Sequence, residues 1–249
     1  MKKFTALLAS ELRESLRHPN REIIPALLFA LFTYFGVNLG IHHMIPQIGG
    51  ESSILWMLPG MIIFFTALMA YVDANRKILN SLETGYLQHL RSTATSPWLL
   101  VLVFILDAAI VSFVKAVIIL LIYAILFIQI GSPGTWTGIL LLAFLAGIFW
   151  GGLGVSIALM RKESLANSQI IASVIIPIFA VTGLIFPVAY YPSHLEATVL
   201  ILPSTQAFEM GRALMGVTSY QGWMLTALLG WAALSLCVAV FLLFREDRR

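Results

Sequence analysis

Six stretches of this chain are long and apolar enough to cross a bilayer, and no feature restricts the fold more. A crossing helix needs ~20 mostly apolar residues. The stretches are Ile23 to Ile41, Ile54 to Val72, Trp98 to Ile130, Thr137 to Met160, about Ser168 to Val188 and about Gly222 to Phe244. Composition agrees: 59% of the 249 residues are hydrophobic and 11% are charged, against ~25% charged in a soluble domain. The expected fold is an all-α membrane protein forming one domain over residues 1–249. No linker or low-complexity tract divides it, and its halves show no repeat of the kind that builds many secondary transporters.

The basic residues orient the spans. Lys2, Lys3, Arg13, Arg17 and Arg21 precede the first span, and Arg76, Lys77 and Arg91 follow the second. Arg161 and Lys162 follow the fourth, and Arg245, Arg248 and Arg249 end the chain. All thirteen fall on one side. The other side holds Arg212 alone, and Lys115 lies within a span. The positive-inside rule then predicts two cytoplasmic termini. The net charge of +3 fits a membrane surface better than a nucleic acid. Glu11, Arg13 and Glu14 interrupt the first apolar stretch, which speaks against a cleavable signal peptide.

Three pieces do not cross. In residues 1–22, Phe4, Leu7, Leu8, Leu12 and Leu16 share one side of a helical wheel, and Lys2, Lys3, Arg13, Glu14 and Arg17 share the other. Only Glu11 breaks the pattern. A basic amphipathic helix of this kind lies flat at a membrane interface. The second piece is the largest cytoplasmic loop, Asp73 to Pro97. Leu79, Leu82, Tyr86, Leu87 and Leu90 recur there at helical spacing and predict a short helix over about 78–93. Ser96 then caps the next helix, with Pro97 at its first position. The third piece, "GLIFPVAYYPSHLEATVLILPSTQAFEMGRALMG", holds Pro187, Pro192 and Pro203. It is too broken to cross, and predicts two short helices at the outer leaflet.

Asp107 and Lys115 are the only charges deep in a span. Each costs about 2.5–3.5 kcal/mol there on insertion scales, so both are candidates for lining a translocation path. They are eight residues apart, ~12 Å along the axis and ~80° around it, which argues against a direct pair. The alternative places Asp107 at the interface and pairs Lys115 with another helix or a carbonyl. Other signals are structural. Gly147 and Gly151 form a GxxxG step that permits close helix approach. His42 and His43 are adjacent and point apart, against a metal site. No phosphate-binding GxxxxGK[ST] occurs, so the chain is not an ATPase.

Together these features resemble the ABC-2 family of ABC-transporter permeases. The cytoplasmic stretch "ETGYLQHLRSTATSP" matches the family pattern at Glu83, Gly85, Leu87, Leu90, Arg91 and Ser96, and departs from it around Gln88 and at Ala94. The outer stretch matches at Gly183, Phe186, Pro187, Pro192, Pro203, Arg212 and Gly216. The resemblance implies six spans, an N-terminal amphipathic helix, a cytoplasmic coupling helix and outer re-entrant helices before the last span. It implies a permease in the inner (plasma) membrane, dimerised with a second copy or a similar subunit. A separate ABC ATPase would bind ATP and Mg and drive export, this chain carrying no cofactor of its own. Tyr86, Leu87 and Leu90 would be an apolar knob in the ATPase, with Glu83, His89 and Arg91 at its rim. The rival expectations are a membrane-embedded enzyme acting on lipids, for which polar groups are too few, and a stand-alone channel or carrier.

Overall fold

A computed structural model of the chain describes residues 2–17, 19–92, 95–126, 132–161, 170–219 and 221–247. Within these, a few side chains, those of Asn38 and Arg91 among them, are not described. Ala94, Lys162, the tail of the third expected span (127–130) and the start of the fifth (168–169) lie outside the described residues.

The described chain is almost wholly helical. α1 runs Lys2–Ser15 and α2 runs Pro19–Thr33. The single element expected over residues 1–22 is therefore two, and Pro19 opens the second. Proline suits a first turn, where its missing N–H has no partner to lose. α2 continues as a π-helical stretch, Tyr34–Ile41, and a helical turn, His42–Met44. A two-stranded antiparallel hairpin, β1 Gln47–Ile48 and β2 Glu51–Ser52, leads into α3, Ser53–Glu83. α4 is Tyr86–Ser92, α5 Pro97–Leu126 and α6 Pro133–Arg161. A π-helical turn Ile171–Ile175 precedes α7, Ile176–Val181. α8 is Ser193–Leu200, α9 Pro203–Leu214 and α10 Gly222–Asp247.

Among the described residues, four helices are long and apolar enough to cross a membrane: α3, α5, α6 and α10. They match the second, third, fourth and sixth expected spans. The first and fifth expected spans correspond to shorter helical pieces, α2 with its π-helical continuation and the stretch ending in α7.

The expected loop helix needs correction. α3 does not stop at Val72 but runs on to Glu83. "DANRKILNSLE" holds no glycine or proline, so nothing in it ends a helix. Gly85, at φ 72°, ends it. That left-handed backbone favours glycine. The loop helix is thus α4 alone, residues 86–92 rather than 78–93. Leu79 and Leu82 belong to α3.

α3 and α6 form the centre of the bundle, with α5 and α10 packed on them. Gly147 and Gly151 let α6 lie close to Ala70 of α3 and to Ile105 and Ala109 of α5. Gly154 is tighter still. A methyl group there would overlap the Tyr71 carbonyl oxygen, and Asn75 donates its side-chain N–H to the Gly154 carbonyl at 3.1 Å. By contrast, a methyl on Gly230 of α10 would meet nothing within 4 Å. We expect Gly154→Ala to cost about 1–3 kcal/mol of stability and Gly230→Ala to stay within about 0.5 kcal/mol of the parent. Denaturant unfolding in mixed micelles compares the two directly.

Candidate functional site

The site lies where α1, α2, α3, α4 and α5 meet. It begins with two antiparallel helices. α3 carries Asp73 and Lys77, four residues apart, and α5 carries Asp107 and Lys115, eight apart. In both helices this spacing leaves the pair on neighbouring sides. Lying antiparallel, they match acid to base twice. Lys77 Nζ is 2.5 Å from Asp107 Oδ2, and Lys115 Nζ is 2.6 Å from Asp73 Oδ2. The flexible lysine stems take up the difference between one turn on α3 and two on α5.

Each lysine also holds a second carboxylate from the N-terminal helices. Glu22 Oε2 of α2 is 2.7 Å from Lys115 Nζ, and Glu11 Oε2 of α1 is 3.2 Å from Lys77 Nζ. Hydroxyls complete the tier around Lys77. Ser15 of α1 donates to both Asp107 oxygens, at 3.2 and 3.3 Å, and Tyr86 of α4 donates to Glu11 Oε1 at 3.0 Å. Arg76 adds a 3.2 Å bond to Asp73 from the exposed side. Asp107 and Lys115 are each only 1% exposed, and Glu11, Glu22 and Asp73 are buried. Bare charges at such depth would be prohibitive, so these partners are what permit the helices to pack here.

A cavity of about 880 Å³ opens beside this ladder. Glu11, Glu14 and Ser15 of α1 line it together with Arg76, Lys77 and Asn80 of α3 and Tyr86 and His89 of α4. Glu22, Asp73, Asp107 and Val111 also line it. Burial, and after it the nearby negative charge and hydrogen bond of Glu11, push the Tyr86 phenol up to about 12. Tyr86 therefore stays neutral, and a donor, throughout the physiological range.

α4 turns its apolar side inward. Leu87 is fully buried in a cluster with Leu79, Leu100, Phe104 and Val155, against which Leu82, Tyr86, Leu90 and Leu7 pack. This corrects the expected knob at Leu87, while Tyr86 and Leu90 are half-buried. Leu87 anchors the helix to its own bundle and is not free to enter a partner. The outer side shows Glu83, Thr84, Gln88, His89 and Ser92. Of Arg91 only the backbone is described.

At the other end of α3 the single basic residue of the outer stretch is a clamp. Arg212 of α9 is fully buried. Its Nε donates to the Trp56 carbonyl at 3.0 Å. Its Nη2 donates to the carbonyls of Gly183, at 2.5 Å, and Leu184, at 3.0 Å. Its Nη1 meets Glu209 at 2.7 Å, and its guanidinium carbon lies 4.0 Å from the Trp56 ring centre. Gly183 sits at φ 81°, where the chain turns after α7. Pro187 leads a 3-10 turn, Val188–Tyr190, Pro192 precedes α8, and Pro203 opens α9. The outer motif residues thus shape one structure around a planar fork of five donors that a lysine cannot imitate.

The sequence model of the ABC-2 type transporter family matches residues 2–216. The chain belongs to the ABC-2 type transporter family. It is a multi-pass membrane protein and the membrane component of a transporter. Among curated proteins none matches.

In this ABC-2 chain the residues expected to matter fall into three places. Glu83, Gly85, Tyr86, Leu87, His89 and Leu90 meet at the α3–α4 turn. Asp107 and Lys115 do not touch each other, and each is taken up by α3. Gly183, Pro187, Pro192, Pro203 and Arg212 gather at the opposite end of α3. Sequence reasoning missed Glu22, Asp73 and Lys77 as site residues. Two signals pointed to them. Asp73 and Lys77 repeat the acid-then-base order of Asp107 and Lys115, which antiparallel packing sets acid against base, and Glu11 was the one acid on an apolar face.

Removing one partner of a buried ion pair leaves the other uncompensated, at about 3–5 kcal/mol. Lys115→Met should destabilise by that amount, because it strands Glu22 and leaves Asp73 only the exposed Arg76. Lys115→Met with Asp73→Leu and Glu22→Leu should recover most of it. Thermal unfolding of the three proteins in the same detergent checks the order.

Proposed function

We propose that this chain is the membrane subunit of an ATP-driven ABC exporter. It pairs with a second copy or a similar subunit, and a separate ABC ATPase docks below. In this reading the chain crosses the inner membrane six times with both termini cytoplasmic. The stretch from α2 to Ile41 makes the first crossing, and the helical stretch ending in α7 makes the fifth. ATP and Mg stay with the partner. α4 is the coupling helix, through which the ATPase moves the spans.

One observation carries the reading. α4 is held from two sides at once, by Leu87 in the apolar cluster and by the Tyr86–Glu11 bond to α1. Gly85 joins it directly to α3, which runs unbroken from Ser53. A push on α4 is therefore passed to α1, α3 and α5 together. The docking face is polar, made of Glu83, Thr84, Gln88, His89 and Ser92. Nothing comparable favours the lipid enzyme or the stand-alone channel.

Co-purification with the cognate ATPase tests the reading. The parent chain should bring the ATPase down in detergent. Glu83→Lys with His89→Asp should lower recovery at least ~10-fold while leaving the permease monodisperse, since both residues are exposed. Leu87→Asp should instead lower the yield of folded permease itself, because Leu87 holds α4 to the bundle. A chain that moves cargo at full rate with no ATPase bound would overturn the proposal.

A further inference from the structure

The two tiers of the ladder differ in charge. Around Lys115, the carboxylates of Glu22 and Asp73 face two cations, Lys115 itself and Arg76. Among the described residues, the carboxylates of Glu11 and Asp107 around Lys77 face one. The hydroxyls of Ser15 and Tyr86, which carry no charge, also bond to these two carboxylates. Two buried carboxylates that crowd one ammonium do not both stay ionised without cost. The cavity beside them gives water a route to both, since Glu11, Lys77 and Asp107 all line it.

We propose that Asp107 takes up one proton when α1, bringing the Glu11 carboxylate to Lys77, is docked on α3 and α5, so that docking of α1 responds to pH. The inference goes beyond the transport reading and needs neither ATPase nor cargo. The sign follows from counting protons. When α1 leaves, the Glu11 carboxylate leaves Lys77, and Asp107, with that ammonium to itself, gives up its proton. The docked state therefore holds one more proton than the undocked state. Docking is strongest at low pH. It weakens about tenfold per pH unit between the pKa of Asp107 in the undocked state and its pKa in the docked state, and no longer changes above the latter.

Other groups facing this tier are named so that they can be excluded. They are Glu14 on α1, Glu22 on α2, Asp73, Arg76 and Glu83 on α3, Tyr86 and His89 on α4, and Lys115 on α5. Of these, His89 has the ordinary pKa closest to neutrality. It lines the same cavity but is exposed and belongs to the outer side of α4.

The experiment uses the full chain in lipid nanodiscs with Cys237→Ser. Nitroxides on Ser10→Cys of α1 and Ser92→Cys of α4 report their separation by pulsed electron resonance. Both positions are exposed. Wild type should show a second, longer distance that grows with pH. Asp107→Asn and Glu11→Gln, each nearly isosteric, should hold the short distance at every pH. His89→Gln should keep the wild-type response. Infrared spectra of the same samples should show the carbonyl stretch of a neutral carboxylic acid in wild type and lose it in both carboxylate variants. A distance insensitive to pH overturns the proposal, as does a response that survives Asp107→Asn or disappears in His89→Gln. So does an acid band that persists in both variants, or docking that follows potassium at constant pH. A failure here leaves the ATPase co-purification result untouched.

Discussion

Placing four buried carboxylates, one buried ammonium and one half-buried one among apolar helices is possible only if every charge finds its partner, and that requirement orders the end of the bundle where α4 lies. α3 and α5 could pack through apolar residues in many registers. The Asp73–Lys115 and Lys77–Asp107 contacts accept one of them. A slip of one turn would leave an ammonium and a carboxylate stranded, which costs far more than a displaced leucine. The ladder then recruits α1 and α2, because each lysine has room for a second carboxylate. Its value lies in register and attachment rather than in net stability, since a well-packed apolar substitute often does as well.

The same helix is fixed at its far end by a different device. Arg212 binds three carbonyls, one carboxylate and one ring, and two of those five partners, both on Trp56, belong to the first turn of α3. α3 is therefore tied in its first turn by a cation that accepts neutral dipoles, and toward its C-terminal end by cations that accept charge. Between the ties it rests on the glycine face of α6, where Gly154 lets the backbones nearly touch.

Much of this was legible in the sequence. The four longest helices were, because a run of ~20 apolar residues has few other fates. The close approach at Gly147 and Gly151 was too, since only small residues permit it. The boundary of α3 was not. Amphipathic periodicity continues through Thr84 and Gly85, so Leu79 to Leu90 read as one stripe. The stripe is real as a surface, for all five residues share a cluster, but it is folded over a left-handed glycine. Leu87 shows the limit most clearly. Periodicity says that leucines share a side, and says nothing about whether that side meets the chain's own bundle or a partner.

Glu11 makes the same point from the polar direction. As a lone acid on an apolar stripe, it read as a flaw in an interfacial helix. In the fold it meets the Lys77 ammonium and the Tyr86 hydroxyl at once. The flaw is the contact that joins α1, α3 and α4, and a leucine in its place would continue the stripe while cutting that link. An acid inside an apolar face is expensive wherever it is placed, so its presence argues for a partner that the local sequence does not contain. Here that partner lies 66 residues away, on a helix whose own charges had been assigned to a solvated loop. Long-range charge pairing is invisible to periodicity, which reads one element at a time. It becomes readable only when unexplained charges on different elements are counted against each other.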